Sequence, residues 1–238
     1  MPTERARIHL DVLEQNVLVE ADVETGPVRP GALLGLVREL SRASVDAARM
    51  KAMLAGKPMT CVAGCAHCCR QLVMVTPIEA LSLAALVDAL PPDDQTKMRE
   101  RFAEAARTWA TLTEPLDSDE PVGASKKWFA AKVACPFLED ERCSIYADRP
   151  IACREWNVSS AAALCATGSQ KIEPLQRPLA TFQGLLELGT HFGTAPKQGI
   201  PLPLALEWAS THADTLGAEH DAETMFHKLT QRMQAAQD

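Results

Sequence analysis

Four cysteines fall within nine residues in the run Cys61-Val-Ala-Gly-Cys65-Ala-His-Cys68-Cys69, a C-x3-C-x2-C-C pattern. No other feature restricts the fold of this chain as strongly. Side chains so close in sequence converge on one point only if the backbone curls around it, and Gly64 permits such a curl. A metal ion or cluster makes convergent thiolates favourable, because it neutralises their mutual repulsion. Four further cysteines follow at Cys135, Cys143, Cys153 and Cys165, with 7, 9 and 11 residues between them. Adjacent side chains project in divergent directions, so Cys68 and Cys69 are awkward partners on one tetrahedral ion. One of them serves a second metal, the site is polynuclear, or one is not a ligand. Eight thiols in two groups of four fit two four-thiolate sites or one multinuclear site.

Composition narrows the reading. Eight cysteines in 238 residues lie well below the ~8–10% of a small disulfide scaffold. The start, Met1 to Arg7, has no apolar h-region and does not read as a secretory signal. The apolar runs at Leu72–Val75 and Leu81–Leu90 are far shorter than the ~20 residues of a membrane span. The expected compartment is the reducing cytoplasm, where thiols serve metals or redox chemistry rather than disulfides. Buried cysteines that only fill a core do not cluster four in nine. The net charge of −7 argues against nucleic-acid and anionic-membrane partners, which need clustered positive charge.

The rest of the chain predicts a mainly α fold. Leu33, Leu36, Val37, Leu40, Ala43, Ala47, Met50 and Leu54 recur at helical spacing, with Arg38, Glu39, Arg42, Asp46, Arg49 and Lys51 on the other side. Thr76, Pro77 and Glu79 form a helix start with a capping box, followed by a helix to Leu90. Further helices are expected at 93–112, 179–188, 202–216 and 222–236. Residues 113–124 read as an acidic, solvated loop, and 135–153 as compact turns with a short hairpin at Glu139-Asp140-Glu141. Residues 8–30 carry no clear assignment. The cysteines sit in the connections between helices. The expected organisation is one domain over 1–238: a cysteine-bearing metal-binding core at 61–165, with residues 166–238 as a helical extension packed on it.

The second half of the pattern carries a family signature: Cys135-Pro136-Phe137-Leu138, then Cys143-x-Ile145-Tyr146-x-x-Arg149-Pro150-x-x-Cys153-Arg154, then Cys165. Together with the first cluster it resembles the cysteine-cluster (CxxCxxCC, YkgJ-like) family, whose name attributes to it the chelation of zinc or iron. The resemblance covers residues 61–165. It departs from the family pattern in the three-residue gap between Cys61 and Cys65. It implies metal binding but no particular reaction.

Three thiolates in C-x3-C-x2-C are a common way to hold three irons of a [4Fe–4S] cluster, with the fourth ligand arriving from a distance. Structural zinc more often takes paired C-x2-C knuckles, of which only one is present. The preferred cofactor is therefore an iron–sulfur cluster bound by Cys61, Cys65, Cys68, Cys69, Cys135, Cys143, Cys153 and Cys165, with zinc as the alternative and copper behind both. The same three-cysteine spacing marks radical S-adenosylmethionine enzymes, but those require alternating strands and helices that this chain lacks. His67 reads as a donor behind the ligands or a solvated loop residue, and His191, His212, His220 and His227 as surface or interface residues. Arg149 and Arg154 either pin a turn by pairing with carboxylates or offset the charge of the thiolates. Tyr146 reads as a packed turn residue. Two functional classes follow: a chemically active centre in electron transfer or modification of a partner, or a structural metal in a module that binds another protein. No catalytic residue is assigned.

Overall fold

The chain opens in a β-hairpin built on strict alternation. The structure, a computed structural model, describes residues 2–113 and 121–234. Strands β1 (Thr3–Val12) and β2 (Gln15–Glu24) pair antiparallel, with Ile8 opposite Val19 and Leu10 opposite Val17. Ala6, Ile8, Leu10 and Val12 share one face with Val17, Val19, Ala21 and Val23, and this face lies on the core. The connecting residues, Leu13 and Glu14, both have positive φ, 53° and 66°. That is the conformation of a tight hairpin turn, which usually selects Gly or Asn.

Pro27–Val28 (β3) then leads to α1 (Leu34–Leu54), whose residues Leu36, Val37, Leu40, Ala43 and Ala47 are buried as the periodicity predicts. A short strand, β4 (Met74–Val75), precedes α2 (Pro77–Asp88), and α3 (Pro92–Thr113) follows. Most of the expected acidic loop, residues 114–120, lies outside the described residues. Its last part differs from expectation, since Pro121–Ala130 is a helix, α4, with Pro121 as its first residue. Trp128 on α4 is buried beside Trp109 of α3, their rings 6.1 Å apart.

Residues 138–155 contain the expected hairpin, β5 (Leu138–Glu139) and β6 (Arg142–Cys143), and a short helix α5 (Ile151–Glu155). Asp140 and Glu141 at its tip both have positive φ. The C-terminal part holds α6 (Thr181–His191), β7 (Ile200–Pro201), α7 (Ala205–Thr211), β8 (His220–Asp221) and α8 (Ala222–Gln234). The helix expected over 202–216 is shorter, because 3₁₀ turns at Leu202–Leu204 and Ala213–Leu216 flank α7. β7 pairs with β4 and β8 with β3, so the last third of the chain is stitched to the first. Among the described residues no helix is long and apolar enough to cross a membrane.

Two apolar cores result. One joins the hairpin, α1, α6 and α8 through Val12, Val19, Leu40, Leu185, Leu188, Met225 and Leu229. α8 can approach α6 closely because of Gly184, where a Cβ would stand 2.8 Å from Leu229 Cδ1. The other joins α2, α3 and α7 through Leu83, Val87, Met98, Phe102 and Leu206, and takes in Phe137 from the cysteine segment. Phe102 and Phe137 meet edge to face at 5.1 Å.

The helices hold the cysteine segments through polar anchors. Glu79 is buried, and its Oε2 accepts from Thr76 N–H at 2.8 Å, completing the predicted capping box. Its other oxygen, Oε1, accepts from Ile151 N–H at 2.6 Å and so caps α5 as well. Burial pushes this carboxyl above the ordinary carboxylate range, while those hydrogen bonds and the charge of Arg38 pull it back. Arg38, expected on the outward face of α1, instead donates to Asp148 Oδ1 at 2.9 Å and to the Asp148 carbonyl at 3.1 Å. Arg101 of α3 donates to Glu139 at 2.6 Å.

Replacing Glu79 with Ala removes a cap and leaves the Ile151 N–H buried without a partner, so Glu79→Ala should cost about 2–4 kcal/mol. Urea unfolding measures this, and a loss under about 0.5 kcal/mol would show that the carboxylate does not tie the two helices.

Candidate metal centre

The first cysteine segment curls as its glycine allows: Gly64 has φ of 90°, and Cys65 N–H donates to the Val62 carbonyl at 3.0 Å. A 3₁₀ turn over His67–Arg70 then carries Cys68 and Cys69. Cys143 lies on β6, Cys153 on α5 and Cys165 in a 3₁₀ turn at Ala162–Ala166. Half of the cysteines thus sit on short helical turns rather than on irregular connections. All eight are free thiols; as whole residues Cys165 is buried and the other seven are half-buried.

The two halves of the motif touch through the backbone. Cys135 N–H donates to the Cys69 carbonyl at 2.8 Å, and Thr60 N–H to the Val158 carbonyl at 2.9 Å. Val158 N–H donates to Cys61 Sγ at 3.4 Å. Just beyond Cys69, Arg70 grips Glu141 at the tip of the β5–β6 hairpin with both terminal nitrogens, at 3.1 and 2.5 Å. Gln71 donates to the Cys165 carbonyl at 3.5 Å.

Cys68 is the hub of the thiols. It lies near enough to Cys61, Cys135, Cys143, Cys153 and Cys165 that its ionisation would oppose theirs. Its own thiol is pushed up, first by a hydrogen bond with the Cys69 thiol and then by burial. Burial likewise raises the thiols of Cys61, Cys143, Cys153 and Cys165, and pushes Cys135 up to about 12.

Among the described residues, Arg149 opposes this, lowering the thiols of Cys61, Cys68 and Cys143. Its guanidinium lies over the Tyr146 ring, 4.2 Å from the centroid, so Tyr146 is a half-exposed platform rather than a packed turn residue. Arg154 plays the pinning role, but through carbonyls: it donates to Arg149 O at 2.8 Å and to Ala147 O. The two roles weighed for these arginines are thus divided between them.

Cys61, Cys65, Cys68 and Cys153 line a cavity of about 220 Å³ together with Arg149, whose Nε is buried with no hydrogen-bond partner. Among the described residues, no group of three or more His, Cys, Asp or Glu side chains is drawn together closely enough to hold a metal ion as it stands. The thiols share a neighbourhood rather than a finished coordination sphere. The donor chemistry nevertheless suits a soft, sulfur-ligated metal: four thiols on one small cavity, a backbone N–H on one sulfur, and an uncommitted guanidinium donor beside them.

Residues 60–173 match the family model CxxCxxCC, described as "Putative zinc- or iron-chelating domain". This stretch is similar to a CxxCxxCC domain. No curated protein and no solved structure matches the chain. The boundaries of the domain meet in space: Thr60 donates from its hydroxyl to the Ser160 carbonyl at 2.6 Å, and Glu173 N–H donates to the Ser160 hydroxyl at 3.1 Å. The domain is thus closed at its two ends, a feature that lies beyond the last cysteine and that spacing does not reveal.

Without metal, the raised thiols make the fold sensitive to alkali. An unfolded chain releases the Cys135 proton near its ordinary value of 9.0, whereas the folded chain holds it to about 12. The stability it contributes is complete below about pH 9 and is lost as the pH rises toward 12. Urea midpoints of reduced, chelator-treated protein should fall between about pH 8 and about pH 10.5, and fall less in Cys135→Ser. Equal falls in both proteins would contradict the burial of this thiol.

Proposed function

We propose that this is a cytoplasmic metalloprotein whose eight cysteines bind an iron–sulfur cluster or clusters serving electron transfer or redox modification of a partner. The observation that carries the reading is the assembly around Cys68: a C-x3-C-x2-C loop on one side and Cys135, Cys143 and Cys153 on the other. Three local thiolates plus one from afar suit a cubane cluster. The CxxCxxCC domain supports the coarser statement, chelation of zinc or iron.

Cys61, Cys65, Cys68 and Cys153, which share the small cavity, are the first candidates to hold the metal. When bound, a cluster supplies one-electron chemistry. This chain's residues contribute the rest. Arg149 offsets the negative charge of the thiolates, Val158 N–H donates to the Cys61 sulfur, and Glu79 fixes the start of the helix that carries Cys153.

A second reading has its own observation. Cys165 feels Cys61, Cys65 and Cys68, whereas Cys153 feels Cys135, Cys143 and Cys68. Cys68 is common to both sets, and two closed four-thiolate zinc sites would use all eight sulfurs. In that case the metal is structural, and the helices form a module for a protein partner.

Purification without oxygen, followed by metal and acid-labile sulfide analysis and an absorption spectrum, separates the readings. The expected result is a coloured protein with iron and sulfide in similar amounts, and with less of both in Cys65→Ser and in Cys153→Ser. A colourless protein replete in zinc would replace the cluster with the structural reading. A protein carrying neither metal would overturn both.

A further inference from the structure

Next to the small thiol cavity lies a larger one of about 710 Å³, walled by β4 and the residues before it, by α5, and by the chain entering α6. Cys68, Cys153 and Trp156 line both cavities, so these three side chains form the partition between them. The volume falls within the range of small-molecule sites, about 300–1,000 Å³. The lining has the matching character, with Leu179, Phe182 and Trp156 offering apolar and aromatic surface.

The charges on the walls are unequal. Among the described residues Glu155 is the one carboxylate of the lining, and it is buried, accepts a hydrogen bond from the Thr181 hydroxyl and has its carboxyl pushed up by burial. Arg232 is committed to Glu187 at 2.9 Å. Arg177, at the exposed rim, makes no close ion pair among the described residues, and its charge reaches the Glu155 carboxyl and lowers it. Beyond Gln183 and Arg232 the adjoining surface adds Lys197 and Lys228. On a chain with a net charge of −7, such a local excess of positive charge draws anions toward one mouth.

We propose that this cavity binds a small molecule with an apolar, flat body and a single anionic oxygen group, a carboxylate or a phosphate ester. The body packs on Phe182, Leu179 and Trp156 against the thiol partition, and the anion faces Arg177. The site does not require the metal, but a molecule seated there lies directly against Cys68 and Cys153, so whatever those thiols hold is within its reach.

Calorimetric titration of the protein as isolated tests this with 2-naphthoate, 2-naphthyl phosphate and the neutral naphthalene-2-methanol. One or both anions should bind at one per chain, at least ~10-fold more tightly than the alcohol, a difference of about 1.4 kcal/mol. The anion that binds names the oxygen group. Arg177→Gln should weaken the anion ~10-fold and leave the alcohol unchanged, while Gln183→Trp, which fills the mouth from the exposed face of α6, should weaken all three. Both positions are exposed, and equal melting temperatures would show intact folds. Should Gln183→Trp fail to fold, Arg177→Gln decides alone. Absence of anion binding at millimolar concentration, or an anion affinity indifferent to Arg177→Gln, would overturn the proposal. Metal content measured on the same samples keeps this outcome separate from that of the cluster.

Discussion

Thiols gathered in one neighbourhood and partly withdrawn from water set the terms for everything around them. Each loses solvation, and each ionised neighbour makes the next proton harder to remove, so that Cys68, Cys135 and Cys153 all hold their protons far more tightly than a free cysteine. Left alone, such an assembly gives the fold nothing that a few apolar side chains would not give better. A cation or cluster reverses this, because it replaces the protons and turns mutual repulsion into shared attraction. Arg149, buried at one nitrogen and uncommitted there, is the protein's own partial contribution to the same balance.

Keeping two distant segments side by side requires rigid supports, and the helices supply them. α1 reaches the second segment through Arg38, α2 through Glu79 and α3 through Arg101, while Phe137 plugs the segment into the second core. The direct joins, from Cys135 to the Cys69 carbonyl and from Arg70 to Glu141, complete the seam. The first core, with the hairpin and α8, stands behind these supports and also shapes the larger cavity through α6.

Much of this was legible in the residues, and the failures have physical causes. α1, α2 and α3 announce themselves by periodicity and caps, and the thiols by spacing. The first hairpin carries no turn signal although Ala6, Ile8, Leu10 and Val12 alternate cleanly, because Leu13-Glu14 lacks the glycine or asparagine that marks such a turn. The start of α4 was masked by its acidic, proline-bearing surroundings. A capping box says that Glu79 serves its own helix; only the tertiary structure gives its second oxygen to Ile151. The central place of Cys68 and the cavity that gathers Arg177 with Phe182 and Trp156 depend on long-range packing, which no local pattern encodes.

X-ray absorption at the edge of the bound metal tests the central claim most directly, since it counts the atoms that the protein places around the ion. The account predicts a first shell of about four sulfurs near ~2.3 Å, with an additional iron–iron distance if the centre is a cluster. A first shell of nitrogen and oxygen would contradict it, because the thiols around Cys68 would then not be what holds the metal.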